Sequence, residues 1–494
     1  MARARQIFGG TLSPTNKEGF PAFERPLEEQ YLQTLLTNTL GNTFYTDSTD
    51  LLKEAIDIHT AMLERDPEFA ARALVYARSE GLMRLQPLVG LACLAQNDTR
   101  LFSGVFDRVI RIPSDLADFL TILSGMGRGQ GGRAVKRQVA RFLNDVDEYW
   151  ALKYNGRGRG FNLGDAIATT HPVPKDERQN EIFRYLMGKQ ARLEGLPQIA
   201  AFEGLKRANN DEEKLRLIGE GRLPHEIVTG AVKPTREIWR AILPQLPLFA
   251  LLRHLNTLDR EGVLDENRDY ISKRLSDREA LKKAKILPFR FVAAFENVDK
   301  DWVRDVLRQA VEACFTNLPA IPGKSAIFLD VSGSMSGEYL RIGSVFALAL
   351  YKISKGKAVF WLFDDQVYNA HASMHDSILS QAEKITARGG TDTGAPMRGL
   401  NKYKMKVDNI IMITDEQQNT GSPFYKELEN YRKKYNEKTR AFIIDIAPYR
   451  KAMAPPADDM TYYIYGWSDA ALKYISYSIN SYGSMVDRVR ELEI

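Results

Sequence analysis

Residues 327–337 read IFLDVSGSMSG. A short apolar run leads straight into Asp330, and Ser332 and Ser334 follow at alternate positions in a glycine-bearing loop. An apolar run of this length fits a strand buried on both faces, the kind found in parallel sheets. In such sheets ligands collect beyond the carboxyl ends of the strands. A carboxylate at that end, followed by two hydroxyls spaced by two, therefore reads as the start of a binding loop.

The chain around this stretch supports the strand. After LPAIPGKS, apolar runs of strand length alternate with helical patterns: SAIFLDV, RIGSVFALALYKISK, KAVFWLFDD, a helix over about 376–387, DNIIMITDE, YKELENYRKKY, TRAFIIDI and MTYYIYG, with a last helix after Ser468. This alternation predicts a mostly parallel, doubly wound α/β sheet over residues 321–494. Asp415 ends a second strand in IIMITDE, and Thr391 lies in the loop RGGTDTG. Asp330, Ser332, Ser334, Thr391 and Asp415 thus make a hard, all-oxygen set at converging strand ends. That set suits Mg²⁺ first, then Mn²⁺ or Ca²⁺, and offers zinc or copper no soft ligand. The few formal charges would leave the metal electrophilic enough to accept a partner's carboxylate.

Upstream the grammar differs. Residues 1–25 read as an irregular arm, and residues 26–320 read almost entirely as helices. STDLLKEAIDIHTAMLERD places Leu52, Ile56, His59 and Leu63 on one face behind an N-cap at Ser48 or Thr49. DPEFAARALVYARSEG has Pro67 in its first turn and Gly81 as its stop. Helices of about 10–15 residues joined by short breaks predict antiparallel pairs stacked as a solenoid, although no clean sequence period is visible.

At 494 residues the chain is too long for one core. Hydrophobic content of 44% and charged content of 27% fit a globular protein. A net charge of +5 permits an anionic partner without requiring one. Cys93 and Cys314 sit in apolar helical surroundings and are expected to be free thiols in a reducing cytoplasm. MARARQIFGGTLSPTN has no apolar core of a secretory signal, and no window is apolar enough to span a membrane.

One window concentrates positive charge. Residues 127–159 carry Arg128, Arg133, Lys136, Arg137, Arg141, Lys153, Arg157 and Arg159 against Asp145, Asp147 and Glu148. Lys136, Arg137 and Arg141 can share much of one helical face. KYNGRGRGF is a glycine–arginine loop flanked by Tyr154 and Phe161, with side chains that could reach phosphates and stack bases. Charge runs of this kind are also common as simple solvated faces.

Two resemblances sharpen these readings. Asp-x-Ser-x-Ser, the Gly-Gly-Thr loop and the strand-end Thr-Asp-Glu, in that order, resemble the metal-ion-dependent adhesion site of von Willebrand factor A domains. RIPSDLADFL, WALKYNGRGRGFNLGDAIATTHPVP, PLFALLRHLNTL and LKKAKILPFRF resemble the TROVE module of the Ro autoantigen family, which carries such an A domain after it. The resemblance implies a bacterial or phage relative with a monomeric ring of HEAT-like helical repeats closed by the A domain. It further implies binding of Y-like RNA on the outer face, and of single-stranded ends of misfolded noncoding RNA through the hole. A 3′ exonuclease such as polynucleotide phosphorylase would be a partner, and the location cytoplasmic. The family's RNA-contacting Lys, Arg and His would fall on Lys153, Arg157 and His171. The loop differs by about one residue, so Arg157 and Arg159 compete for one role, and His171 could equally be a packed histidine.

Three other motifs lack their context. GRGQGG satisfies Gly-x-Gly-x-x-Gly but follows the helical pattern LADFLTIL, not a strand. PGKS has Leu318 where a phosphate-binding loop needs glycine, and DVSGS has Ser332 where a dehalogenase-type phosphatase needs its second Asp. The expected function is a non-enzymatic, RNA-binding scaffold for RNA quality control. The alternative is a protein-interaction module in which the metal grips an acidic partner residue.

Overall fold

The structure, a computed structural model, describes residues 15–494 apart from 129–130, 156–160, 285, 287, 316–317, 457, 469–470, 476–477 and 479–483. The chain forms two compact units. One contains the residues up to Ile58, Leu287–Val292 and Phe315–Leu492; the other contains His59–Ile286, Ala293–Cys314 and the last two residues.

The first unit is built on a six-stranded sheet. Strands β2 (Ser325–Asp330), β3 (Ala358–Phe363), β4 (Val367–Asn369), β5 (Asn409–Thr414), β6 (Arg440–Asp445) and β8 (Thr461–Tyr465) take the order β4-β3-β2-β5-β6-β8. All neighbours are parallel except β3 and β4. Every residue of β2 and β5 is buried, as expected of central strands covered on both faces. The helix Glu338–Ile353 packs closely on the sheet, because a Cβ at Gly343 would lie 2.7 Å from Leu329 Cδ1. The doubly wound α/β architecture expected for this half is therefore present. The sequence reading had no place for the antiparallel edge strand β4, and the helix expected over 376–387 is shorter, Ile378–Ala382.

The N-terminal segment belongs to this unit. β1 (Phe23–Glu24) pairs antiparallel with β7 (Lys451–Ala452), and the helix Leu27–Thr37 follows. Between them Arg25 is buried among acids. Its guanidinium donates to Tyr449 O at 3.1 Å, to Asp445 Oδ2 at 2.9 Å and to Glu416 Oε1. Gln33 Nε2 donates to the same Asp445 oxygen at 2.6 Å. Burial and the Glu416 carboxylate push the Asp445 carboxyl up, and Arg25 opposes them.

Among its described residues, every regular element of the second unit is a helix. Several of its helices start on side-chain caps, which satisfy backbone amides that have no partner within the helix. Asp66 caps Pro67–Ser79, Asp98 caps Thr99–Val109, Asp147 caps Glu148–Tyr154 and Asn162 caps Leu163–Thr170. Phe102, Phe106 and Phe119 form an aromatic cluster in its core. Arg78 and Arg84 both donate to the buried Asp115 at 2.7 Å. His59 is fully buried against Gln86, and burial lowers its ring to about 4. The expected N-cap at Ser48 or Thr49 is instead Asp47, whose carboxylate accepts from the amides of Thr49 and Asp50.

Candidate functional site

The carboxyl ends of β2 and β5 and the loop after Arg388 meet at one edge of the sheet. The loops are stitched by backbone and side-chain hydrogen bonds. Gly333 N donates to Gly389 O at 3.2 Å, and Arg388 N to Val331 O at 2.6 Å. Thr391 N donates to Asn419 Oδ1 at 2.9 Å, and Asn419 N returns to Thr391 O at 3.0 Å. Gly389 adopts φ 70°, and a Cβ there would meet Asp364 Oδ2 at 2.8 Å, so the turn requires glycine.

The five oxygen-bearing residues expected at this edge are all buried: Asp330 0%, Ser332 1%, Ser334 5%, Thr391 1% and Asp415 1% exposed. The Ser332 amide donates to Asp330 Oδ1 at 2.9 Å, and the Ser332 and Ser334 hydroxyls lie 3.3 Å apart. Thr414 Oγ1 donates to Asp330 Oδ2 at 2.6 Å. Asp415 Oδ1 accepts from the Gln417 amide at 3.1 Å, while its Oδ2 is buried without a regular hydrogen-bond partner. Burial pushes the Asp330 carboxyl up to about 6. Burial, together with Asp330 itself, pushes Asp415 up to about 7. Two crowded acids and an orphaned carboxylate oxygen, with hydroxyls beside them, fit a hard divalent cation. The fit depends on the hydroxyls, since among the described residues no group of three or more His, Cys, Asp or Glu is placed to hold a metal ion by itself.

Sequence reasoning missed several neighbours. Thr414 orients Asp330 and was legible as the residue before Asp415. Asp364, 2% exposed at the end of β3, accepts the Gln366 amide on its side chain and the Asp392 amide on its carbonyl. The N-terminal segment also reaches this edge, for which the sequence carries no local signal. Asn16 Nδ2 donates to Gln418 O at 2.7 Å, and the Lys17 amide donates to Gln417 Oε1 at 2.9 Å. Tyr45 packs edge-on to Tyr449 at 5.4 Å, and its hydroxyl interacts with Glu18 and Ser334.

The basic candidates lie in the helical unit. The helix Gly132–Leu143 buries Val135, Gln138, Val139, Phe142 and Leu143. Its opposite side exposes Arg133, Arg137 and Arg141, four residues apart, with Lys136 half-buried beside them. Arg133 extends the stripe that the sequence reading confined to Lys136, Arg137 and Arg141. Arg141 pairs with Asp107 at 2.7 Å, with both side chains more than half exposed. Phe142 stacks on Trp150 at 5.7 Å and fixes the next helix, which carries Lys153. Lys153 Nζ lies 3.3 Å from Glu226 Oε1 and over the rings of Tyr149 and Tyr154. Burial would lower that ammonium, but Glu226 and the two tyrosines outweigh it and raise it. His171 ends the helix Leu163–Thr170 in the left-handed region, φ 49°, and is exposed, not packed. Arg157 and Arg159 lie outside the described residues. Among the described residues no helix is long and apolar enough to cross a membrane.

Comparison with known proteins gives these sites a setting. The TROVE domain matches residues 226–369, and the Ro60 vWA domain matches residues 324–477. The basic helix and Lys153 lie before the TROVE match, and all five oxygen donors lie within the Ro60 vWA match. The protein named RNA-binding protein RO60 in Deinococcus radiodurans is 26% identical over 87% of this chain and 88% of its own length. That of Caenorhabditis elegans is 24% identical over 55% of this chain and 46% of its own length. The crystal structure of the Deinococcus radiodurans RO protein aligns over 91% of this chain and 99% of its own, with a TM-score of 0.67 at 21% identity, so the fold is shared. With a TROVE match, a Ro60 vWA match and similarity to RNA-binding protein RO60 over most of its length, the chain is a relative of the Ro proteins.

Proposed function

We propose that this chain is an RNA-binding scaffold of a ribonucleoprotein particle. The observation that carries the reading is the exposed stripe Arg133, Arg137 and Arg141, on a chain whose relatives are named RNA-binding proteins. The stripe offers guanidinium groups at helical spacing, suited to successive phosphates. The finer reading is that the chain takes Y-like RNA and single-stranded ends of misfolded noncoding RNA in the cytoplasm. It hands them to a 3′ exonuclease and is not itself an enzyme. Lys153, Arg157 or Arg159, and His171 would hold the single strand.

The second part of the proposal is a divalent cation, Mg²⁺ first and Mn²⁺ or Ca²⁺ after it, held by Asp330, Ser332, Ser334, Thr391 and Asp415. When bound, the cation neutralises two buried carboxylates and ties together the three strand-end loops that carry them. Thr414 keeps Asp330 oriented, and the Gln417 amide does the same for Asp415. The alternative, in which a partner's acidic side chain completes the site, is less well supported. Every donor is 5% exposed or less, so a partner would have to displace protein first.

Electrophoretic mobility shift with a structured noncoding RNA tests the first part. Binding that weakens steeply with salt is expected; no binding at low salt overturns it. Calorimetry with Mg²⁺ on wild type and Asp330→Ala tests the second. Equal binding by the two proteins would remove the assignment.

A further inference from the structure

Residues 15–21, TNKEGFP, fold into a closed hairpin at the candidate metal edge. Thr15 and Pro21 bridge antiparallel, Asn16 N donates to Phe20 O at 2.9 Å, and Gly19 N donates to Asn16 O at 3.2 Å. Asn16 Oδ1 accepts from the amides of Glu18 and Phe20 at 3.0 and 2.9 Å, so the asparagine side chain shapes the turn. Gly19 closes it at φ 80°. The hairpin is fastened to the loop that follows Asp415, through Asn16 Nδ2 on Gln418 O and the Lys17 amide on Gln417 Oε1. Gln417 in turn holds Asp415, with its amide on Oδ1 at 3.1 Å and its Nε2 on the Asp415 carbonyl at 3.0 Å.

The tip of the hairpin carries Glu18, exposed and, among the described residues, without an ion pair. The neighbouring Lys17 ammonium lies 3.9 Å from Glu54, whose carboxylate Arg450 also meets at 3.3 Å, so these cations are directed elsewhere. The partner of Glu18 is the Tyr45 hydroxyl, which also contacts Ser334. Burial first, then the Glu18 and Asp415 carboxylates, raise that hydroxyl, so it stays protonated and donates to Glu18. One hydroxyl therefore separates Glu18 from Ser334, at an edge that already holds Asp330 and Asp415. Carboxylates gathered in this way repel one another unless a cation lies among them. The hairpin itself needs no acid at its tip. Asn16 and Gly19 set its turn, and Asn16 and a backbone amide fasten it.

We propose that the Thr15–Pro21 hairpin is a tethered plug of the candidate metal edge, and that Glu18 supplies in cis the carboxylate that a cation held there accepts. The chain's own acid then takes the place open to an acidic side chain of a partner. An outside acid reaches the cation only after the hairpin lets go. The fastening is light enough for that, since two hydrogen bonds join the hairpin to the loop after Asp415 and one hydroxyl holds Glu18. Release of so small a segment leaves the sheet intact. This inference rests on the divalent-cation reading above and adds the residue that completes the site.

The test is amide hydrogen exchange of the full chain, read by mass spectrometry with and without saturating Mg²⁺. In wild type, Mg²⁺ is expected to slow exchange in the hairpin about tenfold or more, because Glu18 is then held. In Glu18→Gln the slowing of the hairpin should fall below about twofold, while the loop after Asp415 is slowed as in wild type. Glu18 is exposed at a turn, so the substitution leaves the fold alone. Calorimetry on the same two proteins should show Mg²⁺ bound about fivefold or more weakly by Glu18→Gln, since affinity follows the number of charged ligands. Equal slowing of the hairpin in the two proteins, or Mg²⁺ affinities within about twofold of each other, overturns the role of Glu18 alone. A wild type that binds Mg²⁺ with no slowing of the hairpin overturns it as well. Failure of wild type to bind Mg²⁺ overturns the cation reading and this inference with it.

Discussion

Arg25 is the residue whose removal should matter most to the sheet unit. Its side chain is 0% exposed, and so, to within 1%, are Glu416 and Asp445. Exposed ion pairs contribute little, but removing one member of a buried pair leaves an uncompensated charge and costs roughly 3–5 kcal/mol. Arg25→Met keeps most of the volume while deleting the charge and three donors, so it isolates that cost. For a unit of this size the loss corresponds to a Tm decrease of about 6–20 °C. The penalty depends on pH in a defined direction. Without Arg25, burial and Glu416 hold Asp445 further above its unfolded value, so the folded variant keeps a proton that the unfolded chain releases above about pH 4. The variant is therefore least destabilised in acid, and its deficit grows as pH rises toward neutrality. Adding Asp445→Asn should recover part of the loss, because the stranded charge is gone. Scanning calorimetry and urea denaturation of wild type, both single variants and the double variant measure this. A deficit of Arg25→Met below about 1 kcal/mol, or strictly additive losses, would refute the reasoning.

Three further outcomes are expected. Mg²⁺ affinity measured by calorimetry should fall on the order of a hundredfold or more between about pH 8 and pH 5, because Asp330 and Asp415 titrate near 6 and 7 and must be ionised to bind; a flat profile would refute it. Single changes Arg133→Ala, Arg137→Ala and Arg141→Ala should each reduce the slope of log affinity against log salt by about 0.7–0.9, read by filter binding over a salt series. His59 is buried neutral, so the unfolded chain binds its proton first and stability is lost as pH falls from about 6.5 toward 4. Replacing it by Leu should flatten that acid limb by roughly 3 kcal/mol in denaturant melts, and an unchanged limb would count against it.

The sheet was legible because its central strands carry unbroken apolar runs, AIFL and IIMI, which are buried on both faces and lead toward Asp330 and Asp415. The candidate metal edge was legible for the same reason, since the residues past each strand end must face one rim. What escaped was whatever depends on contacts across long separations. Nothing near residue 25 announces that its arginine meets acids about 400 residues away, because each partner sees only ordinary local sequence. The ribbon of β1 and β7 is two residues long on each side, too short for any periodicity.

The basic residues are not equivalent, and the difference decides which of them can meet RNA cheaply. Arg133 and Arg137 are exposed and make no ion pair among the described residues, so a phosphate gains their full attraction. Arg141 is paired with Asp107, but both partners are more than half exposed, and such pairs are worth about 0–1 kcal/mol. A phosphate displaces Asp107 at almost no cost. Lys153 is different: 19% exposed, set against Glu226 and flanked by two tyrosines. Pulling its ammonium away would strand Glu226, so Lys153 does better to stay and share its charge with a ligand brought to it. The same geometry makes the helix stripe suited to long-range, sequence-independent capture, and the region around Lys153 suited to holding one strand in a fixed place.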